Sequence, residues 1–199
     1  MTIKKTFQII SLLVLSTYLV NGQGHTRAKE REIKTANRPN VLIIMTDEQS
    51  ATMLSCAGNK WLQTPALDTL AAKGVRFENT YVTNPVCCPS RFSIQTGYFP
   101  SAIGLRSNRA PIDKDRRPIL QNLKAQSMGN IFRNAGYETY YGGKDHFPGL
   151  FSNSESEDLS LWGYKTLSKD SRAGLARDAS AFLTSRRSTD KPFLLFVSF

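Results

Sequence analysis

A chain of 199 residues, 40% hydrophobic and 21% charged, has the composition of an ordinary globular protein and enough length for one sizeable core, which excludes disordered and collagen-like classes. Its formal charge of +10 is unevenly spread: residues 1–38 carry seven Lys and Arg against two acids, which leaves +5 for the rest. With no basic stripe interleaved with aromatics, no nucleic acid is expected as a partner; anionic small substrates or polyanionic glycans suit the charge.

Lys4 and Lys5 precede an apolar run from Phe7 to Val20, and small and polar residues follow around Asn21-Gly22-Gln23. That order reads as a secretory signal peptide over residues 1–22. The run falls short of the roughly 20 apolar residues of a membrane span, so no stable membrane anchor is expected. Residues 23–38 read as a charged linker, and the location implied is secreted or periplasmic. Three cysteines occur, Cys56, Cys87 and Cys88. An odd number leaves at least one thiol free, paired between chains, or modified.

Val41 to Met45 is a continuous apolar run, the pattern of a strand buried on both faces of a parallel sheet. It ends in Thr46-Asp47-Glu48-Gln49. In open α/β sheets the ligand crevice lies beyond the carboxyl ends of the strands, which makes Asp47 and Glu48 candidate ligands of a hard cation. A helix N-cap with an acidic first turn is the structural alternative. Thr64 and Pro65 open a helix with Leu67, Leu70 and Ala71 on one face, and Gly74 closes it. Val75 to Val82 has strand character and leads into the stretch Asn84 to Gly97.

There the chemistry concentrates. Pro89 suits the first helical position, so the spacing predicts a turn at Cys87-Cys88 and a helix from near Pro89. The free N–H groups and the positive dipole end of that helix make an anion site. Arg91 adds a guanidinium fork suited to a tetrahedral oxyanion, and a cysteine at a helix start is chemically accessible.

Tyr98 to Pro118 reads as a long loop over the site. A helix from about Gln121 to Ala135, with Leu123, Ile131 and Phe132 facing the core, stops at Gly136. Tyr137 to Tyr141 is a second strand, with Gly142-Gly143-Lys144-Asp145-His146 at its carboxyl end. A Lys and a His two apart in an extended segment point the same way, into the crevice assigned to Asp47; a lone histidine would more often be structural. Residues Phe151 to Lys169 read as a polar loop in which Trp162 and Tyr164 cap a local hydrophobic cluster. A helix follows from about Arg172 to Arg186, with Leu175, Ala179, Phe182 and Leu183 at helical spacing. Phe193 to Phe199 is a third buried strand. The predicted fold class is α/β, a mostly parallel central sheet with helices on both faces over residues 39–199. Because it stops inside a core strand, the chain reads as the N-terminal portion of a longer protein.

Cys87-Cys88-Pro89-Ser90-Arg91 with Thr96-Gly97 matches the signature Cys-x-Pro-Ser-Arg followed by Thr-Gly. Arg38-Pro39-Asn40-Val41, Thr64-Pro65-Ala66-Leu67-Asp68 with Gly74-Val75-Arg76-Phe77, and Gly143-Lys144-Asp145-His146 match flanking motifs in the same order. In these features the chain resembles the type I sulfatases of the alkaline-phosphatase-like superfamily, from about Arg38 to Phe199. The resemblance implies a sulfuric ester hydrolase. In that family the motif cysteine is oxidised to Cα-formylglycine (3-oxoalanine) by a maturation enzyme, which becomes an implied partner. Only Cys87 has Pro and Arg at the required offsets. The hydrated aldehyde offers one hydroxyl to attack sulfur and a second to expel sulfate, whereas a serine could do only the first half.

Carried over by position, the resemblance implies that Asp47 and the group at Cys87 bind a divalent cation, calcium rather than magnesium. Glu48 stands where many members have a second aspartate ligand. Arg91 would hold the formylglycine hydrate, Lys144 would bridge to sulfate, and His146 would take the proton as the sulfated hemiacetal collapses. Asp145 replaces the aromatic common between that Lys and His. The family's leaving-group histidine and late metal ligands have no counterpart here, so the chain alone is expected to lack turnover. Sulfated carbohydrate is the expected substrate, with aryl sulfates second. The alternatives are a phosphonate or phosphate ester hydrolase of the same superfamily, or a non-catalytic binding protein.

Overall fold

The computed structural model describes residues 38–108, 112, 114–148, 158–168, 170 and 173–199. The predicted signal peptide and all of the linker except Arg38 lie outside them. Four strands form one parallel sheet: β1 (Val41–Met45), β2 (Glu138–Gly143), β3 (Lys165–Ser168) and β4 (Phe193–Ser198), in the order β1-β4-β2-β3. The last strand is central, and all six of its residues are buried, as a run of large apolar side chains requires. Ser198 is level with Met45 on one side and Gly143 on the other. The carboxyl ends of β1, β4 and β2 therefore finish together, and the segments beyond them share one edge.

Among the described residues five helices accompany the sheet: α1 (Pro65–Lys73), α2 (Cys87–Thr96), α3 (Arg117–Ala125), α4 (Met128–Asn134) and α5 (Ala173–Ser185). Alternate residues of β4 feed two cores, as the two-residue period of a strand dictates. On one face Leu194 and Phe196 pack with Tyr141, with Cys88 and Phe92 of α2, with Leu120 and Leu123 of α3, and with Trp162 and Tyr164. On the other, Phe193, Leu195 and Val197 pack with Leu175 and Ala179 of α5 and with Phe182. Helices on both faces, and Trp162 and Tyr164 within a hydrophobic cluster, agree with the sequence reading.

Several local expectations differ. Among the described residues strand β1, at the sheet edge, is covered on one face only: Val41, Ile43 and Met45 turn toward the core while Leu42 and Ile44 are exposed. Val75 to Val82 forms no strand. It pairs with nothing among the described residues, and Val75, Phe77, Tyr81 and Val82 are all mostly exposed. Helix α1 forms as predicted, but Leu67 and Leu70 are also exposed.

The single helix predicted over 121–135 is two, broken at Gln126 and Ser127. Ser127 is extended and fully buried, and its hydroxyl donates to the Trp162 carbonyl at 2.9 Å. Gly129 lies so close to Trp162 and Tyr164 that a Cβ there would overlap both. This contact turns α4 so that Asn130 is buried and Ile131 faces solvent. Strand β3 falls inside a predicted loop; four residues at a sheet edge, with Lys165 and Thr166 exposed, carry too little pattern to read. The stretch Tyr98 to Pro118 is not a free loop either. It contains 3-10 turns at Pro100–Ile103 and Lys114–Arg116, and buries Ile103, Leu105 and Ile112 in the core.

Candidate active site

Helix α2 starts at Cys87 rather than near Pro89, which is its third residue. The Asn84 side chain accepts from the Val86 N–H at 3.0 Å, Val86 is extended, and its carbonyl receives the first helical bond from Ser90. Asn has a strong tendency to turn the chain in this way. Pro89 has no N–H to lose in the first turn. Phe92, fully buried, and Cys88 anchor the helix in the core, and Gly97 ends it in the left-handed region, with φ 74°. Cys88 thus points inward and Cys87 stays half-buried at the helix start.

Asn108 completes this corner. Its side-chain oxygen accepts from the Cys88 N–H at 3.0 Å and from the Cys87 thiol at 3.2 Å. The Cys87 sulfur also lies 3.3 Å from His146 Nδ1. Burial, first, and then the positive charges of Lys144 and Arg91 hold the His146 imidazole below its ordinary range, against the opposing charges of Asp145 and Asp47. A neutral ring is the form able to accept a proton at Nδ1.

Arg91 leaves α2 one turn later and is almost wholly buried. Its Nη1 lies 2.7 Å from Ser198 Oγ, 2.8 Å from the Lys144 carbonyl and 3.3 Å from the Tyr141 hydroxyl. Its Nη2 reaches Asp47 Oδ1 at 3.3 Å, and Lys144 Nζ donates to Asp47 Oδ2 at 2.6 Å. One carboxylate between two cations is a charge-assisted arrangement. Burial raises the Asp47 pKa, but the hydrogen bonds and charges of Lys144 and Arg91 outweigh it and hold the carboxyl below the usual range.

The predicted residues Asp47, Cys87, Arg91, Lys144 and His146 therefore converge. The backbone that brings Lys144 and His146 together is not the extended segment expected: Gly143 has φ 85° and His146 φ 45°. Glu48 also lies in the left-handed region, at φ 55°, and is exposed. A cleft of about 500 Å³ is lined by residues that include Asp47, Glu48, Asn84, Cys87, Arg91 and Asn108. Sequence reasoning missed Asn108, Tyr141 and Ser198. A serine ending an otherwise apolar strand at the crevice was a usable signal for Ser198; an asparagine in an irregular stretch offered none for Asn108.

The family model described as Sulfatase matches residues 39–199, which takes in every residue of this cleft. The chain belongs to the sulfatase family. Among curated relatives, this sulfatase-family chain is 30% identical to an uncharacterized sulfatase, YidJ, of Escherichia coli (strain K12), over 81% of the chain and 38% of the relative. It is 29% identical to an N-acetylglucosamine-6-O-sulfatase of Bacteroides thetaiotaomicron, over 79% of the chain and 29% of the relative. Among solved structures it resembles one of a protein in complex with its substrate D-glucosamine-2-N,6-O-disulfate, at 27% identity and TM-score 0.59, over 81% of this chain and 34% of that one. The chain spans less than two fifths of the length of each of these relatives. The fold they share is the mostly parallel α/β sheet of the alkaline-phosphatase-like sulfatases.

Sulfatase-family membership implies a divalent cation. A hard cation such as calcium takes six to eight oxygen ligands. No group of three or more His, Cys, Asp or Glu side chains able to hold one ion occurs among the described residues, and both oxygens of Asp47 already face cations. The described residues of this sulfatase-family chain do not by themselves form a cation site. For formylglycine the fit is good: the Cys87 side chain lines the cleft with a hydrogen-bond acceptor and an imidazole beside it.

Proposed function

We propose that the protein to which this chain belongs hydrolyses sulfate monoesters of carbohydrates, with position 87 as the nucleophile and Arg91, Lys144 and His146 as its catalytic neighbours. Aryl sulfates are the second substrate class. What carries the reading is the convergence, in a sulfatase-family chain, of His146 on Cys87 and of Lys144 and Arg91 on Asp47, with Cys87, Arg91 and Asp47 lining one cleft. The sulfated-glucosamine complex and the N-acetylglucosamine-6-O-sulfatase among its relatives support the carbohydrate class.

Oxidised to formylglycine by a maturation enzyme, position 87 would supply a hydrated aldehyde as the nucleophile. Around it each residue has a separate task. Asn108 accepts a hydrogen from the group at 87 and so sets its rotamer. His146 places Nδ1 of a ring held below its ordinary pKa range next to it, where the tautomer with a free Nδ1 would take a proton. Lys144, bonded to the cleft residue Asp47, brings a positive charge that suits a sulfate oxygen, and the helix α2 N-terminus adds backbone N–H groups. Arg91 keeps these parts in register. A divalent cation, calcium first, belongs to this reading with Asp47 and Glu48 as contributors, but it needs more oxygen donors than the described residues gather. The basic n-region and apolar run before Asn21 support an exported protein, secreted or periplasmic, without a stable membrane anchor.

The test is mass spectrometry of the tryptic peptide containing Cys87 after co-expression with a maturation enzyme, paired with rates on matched sulfate and phosphate esters of one sugar. The expected outcome is the mass loss of thiol-to-aldehyde conversion at 87 and faster hydrolysis of the sulfate. An unmodified thiol, or a preference for phosphate, would overturn the reading.

A further inference from the structure

Three groups at the carboxyl end of the sheet compete for one nitrogen. Arg91 Nη1 is within hydrogen-bond distance of Ser198 Oγ, the Lys144 carbonyl and the Tyr141 hydroxyl, yet a guanidinium nitrogen of this kind carries two hydrogens. By distance, Ser198 and the Lys144 carbonyl take them, at 2.7 and 2.8 Å. The tyrosine, at 3.3 Å, shares weakly. Its stronger bond goes elsewhere: the Tyr141 hydroxyl donates to the same Lys144 carbonyl at 2.8 Å. That carbonyl therefore has both lone pairs occupied, one by Arg91 and one by Tyr141.

The aromatic ring does not need the hydroxyl. Tyr141 is fully buried, its ring is stacked on Phe196 with centroids 4.9 Å apart, and Phe147 and Tyr164 meet it edge-on at 5.3 and 5.5 Å. A phenylalanine would fill the same space. Placing a hydroxyl here incurs a desolvation cost that only its hydrogen bonds offset, and both of its partners belong to residues whose side chains bond to Asp47. Burial also pushes its own pKa up to about 12, so it remains a donor at neutral pH.

We propose that Tyr141, together with Ser198, is a positioning residue of the site: the two hydroxyls lock the Lys144 peptide and the Arg91 guanidinium so that both cations face Asp47. The catalytic consequence rests on the proposed sulfatase reading; the locking itself does not. Ser198 ties Arg91 to the central strand, and Tyr141 ties the Lys144 backbone to β2. Lys144 follows a glycine with φ 85°; its N–H donates to the Ser198 carbonyl at 3.0 Å, and the Tyr141 and Arg91 bonds to its own carbonyl fix the other side of the residue from which its side chain starts.

The test uses Tyr141→Phe, Ser198→Ala and the rescue variant Ser198→Thr. The first readout needs no catalysis: NMR exchange with water of the Arg91 guanidinium hydrogens in the 199-residue chain, with the melting temperature measured alongside. The expected result is exchange at least tenfold faster in Tyr141→Phe and Ser198→Ala, restored in Ser198→Thr, at a melting temperature within a few degrees of the parent. Unchanged Arg91 exchange in both variants would overturn the proposal, and so would faster exchange that merely follows lower melting temperatures. Should Tyr141→Phe not fold, the Ser198 pair decides alone. The second readout is sulfate-ester turnover by the whole protein, where kcat is expected to fall at least tenfold in Tyr141→Phe with KM little changed. Absence of turnover in the parent protein would count against the sulfatase reading, while the exchange measurement would still decide the positioning role.

Discussion

The sulfur of Cys87 lies 3.3 Å from Nδ1 of His146, a residue 59 positions away that follows the carboxyl end of β2. Its neighbour Cys88 is buried against Phe92 and the rest of the core. Adjacent cysteines thus differ in access and in chemistry. In the unmodified chain, iodoacetamide is expected to alkylate Cys87 at least tenfold faster than Cys88, because a thiol must be exposed to be attacked. Peptide mass spectrometry over a time course checks this. Equal rates would mean that the inward turn of Cys88 is wrong.

Replacing Cys87 by Ser retains a hydroxyl at the same place but not a second one. In the matured whole protein, Cys87→Ser is expected to allow at most one round and to leave the serine sulfated, detectable as a mass increase on that peptide. Multiple turnover by the variant would exclude expulsion of sulfate by a second hydroxyl on the same carbon.

The depressed pKa of His146 makes a stability prediction with a definite sign. The unfolded chain takes up a proton near pH 6.5 and the folded chain only below that, so the contribution is present above pH 6.5 and is lost as pH falls through the folded value. Asp47 is depressed too, but its contribution is lost only below the ordinary aspartate range near 3.8. Urea unfolding of the parent and of His146→Asn between pH 7 and 5 separates the two. The parent is expected to lose stability faster over that window, and parallel curves would contradict the assignment.

Two substitutions probe the scaffold beneath the site. Phe92→Ala removes a fully buried ring from the middle of α2 and is expected to cost about 3–5 kcal/mol. Gly143→Ala is expected to be at least as harmful, because a Cβ there would sit against the Ser198 carbonyl and the Leu175 side chain, on a backbone at φ 85°. Denaturant midpoints of the two variants check both. A Gly143→Ala protein of parental stability would show that the β2 end is free to move away from β4.

The parallel sheet, the strand ends and the helix that carries Cys88 to Thr96 were legible because each is written locally. Val41 to Met45 and Phe193 to Ser198 are apolar runs, and Cys87 to Gly97 combines turn-forming, charged and helix-ending residues. What was not legible depends on distant partners. The break at Ser127 is dictated by Trp162, 35 residues on. The strand character of Val75 to Val82 is real as a propensity, but a strand needs a neighbour, and the described residues supply none. Asn108 reaches Cys87 only because Ile103, Leu105 and Ile112 pin its segment into the core. Arg91, read as a substrate-facing fork, is instead nearly saturated by protein partners.

The central position of β4 also governs the order in which the molecule can assemble. Strands β1 and β2 do not touch each other; β4 pairs with both and follows both in the sequence, while β2 has β3 on its other side. Val41 must wait for Leu194, some 150 positions later. Contacts of such sequence separation form slowly and leave earlier segments uncovered meanwhile. Arg91 cannot reach Ser198 before then either. Sheet closure and the locking of the cleft are therefore one event in the folding of this chain, so a lesion that keeps β4 from pairing with β1 and β2 should abolish both at once.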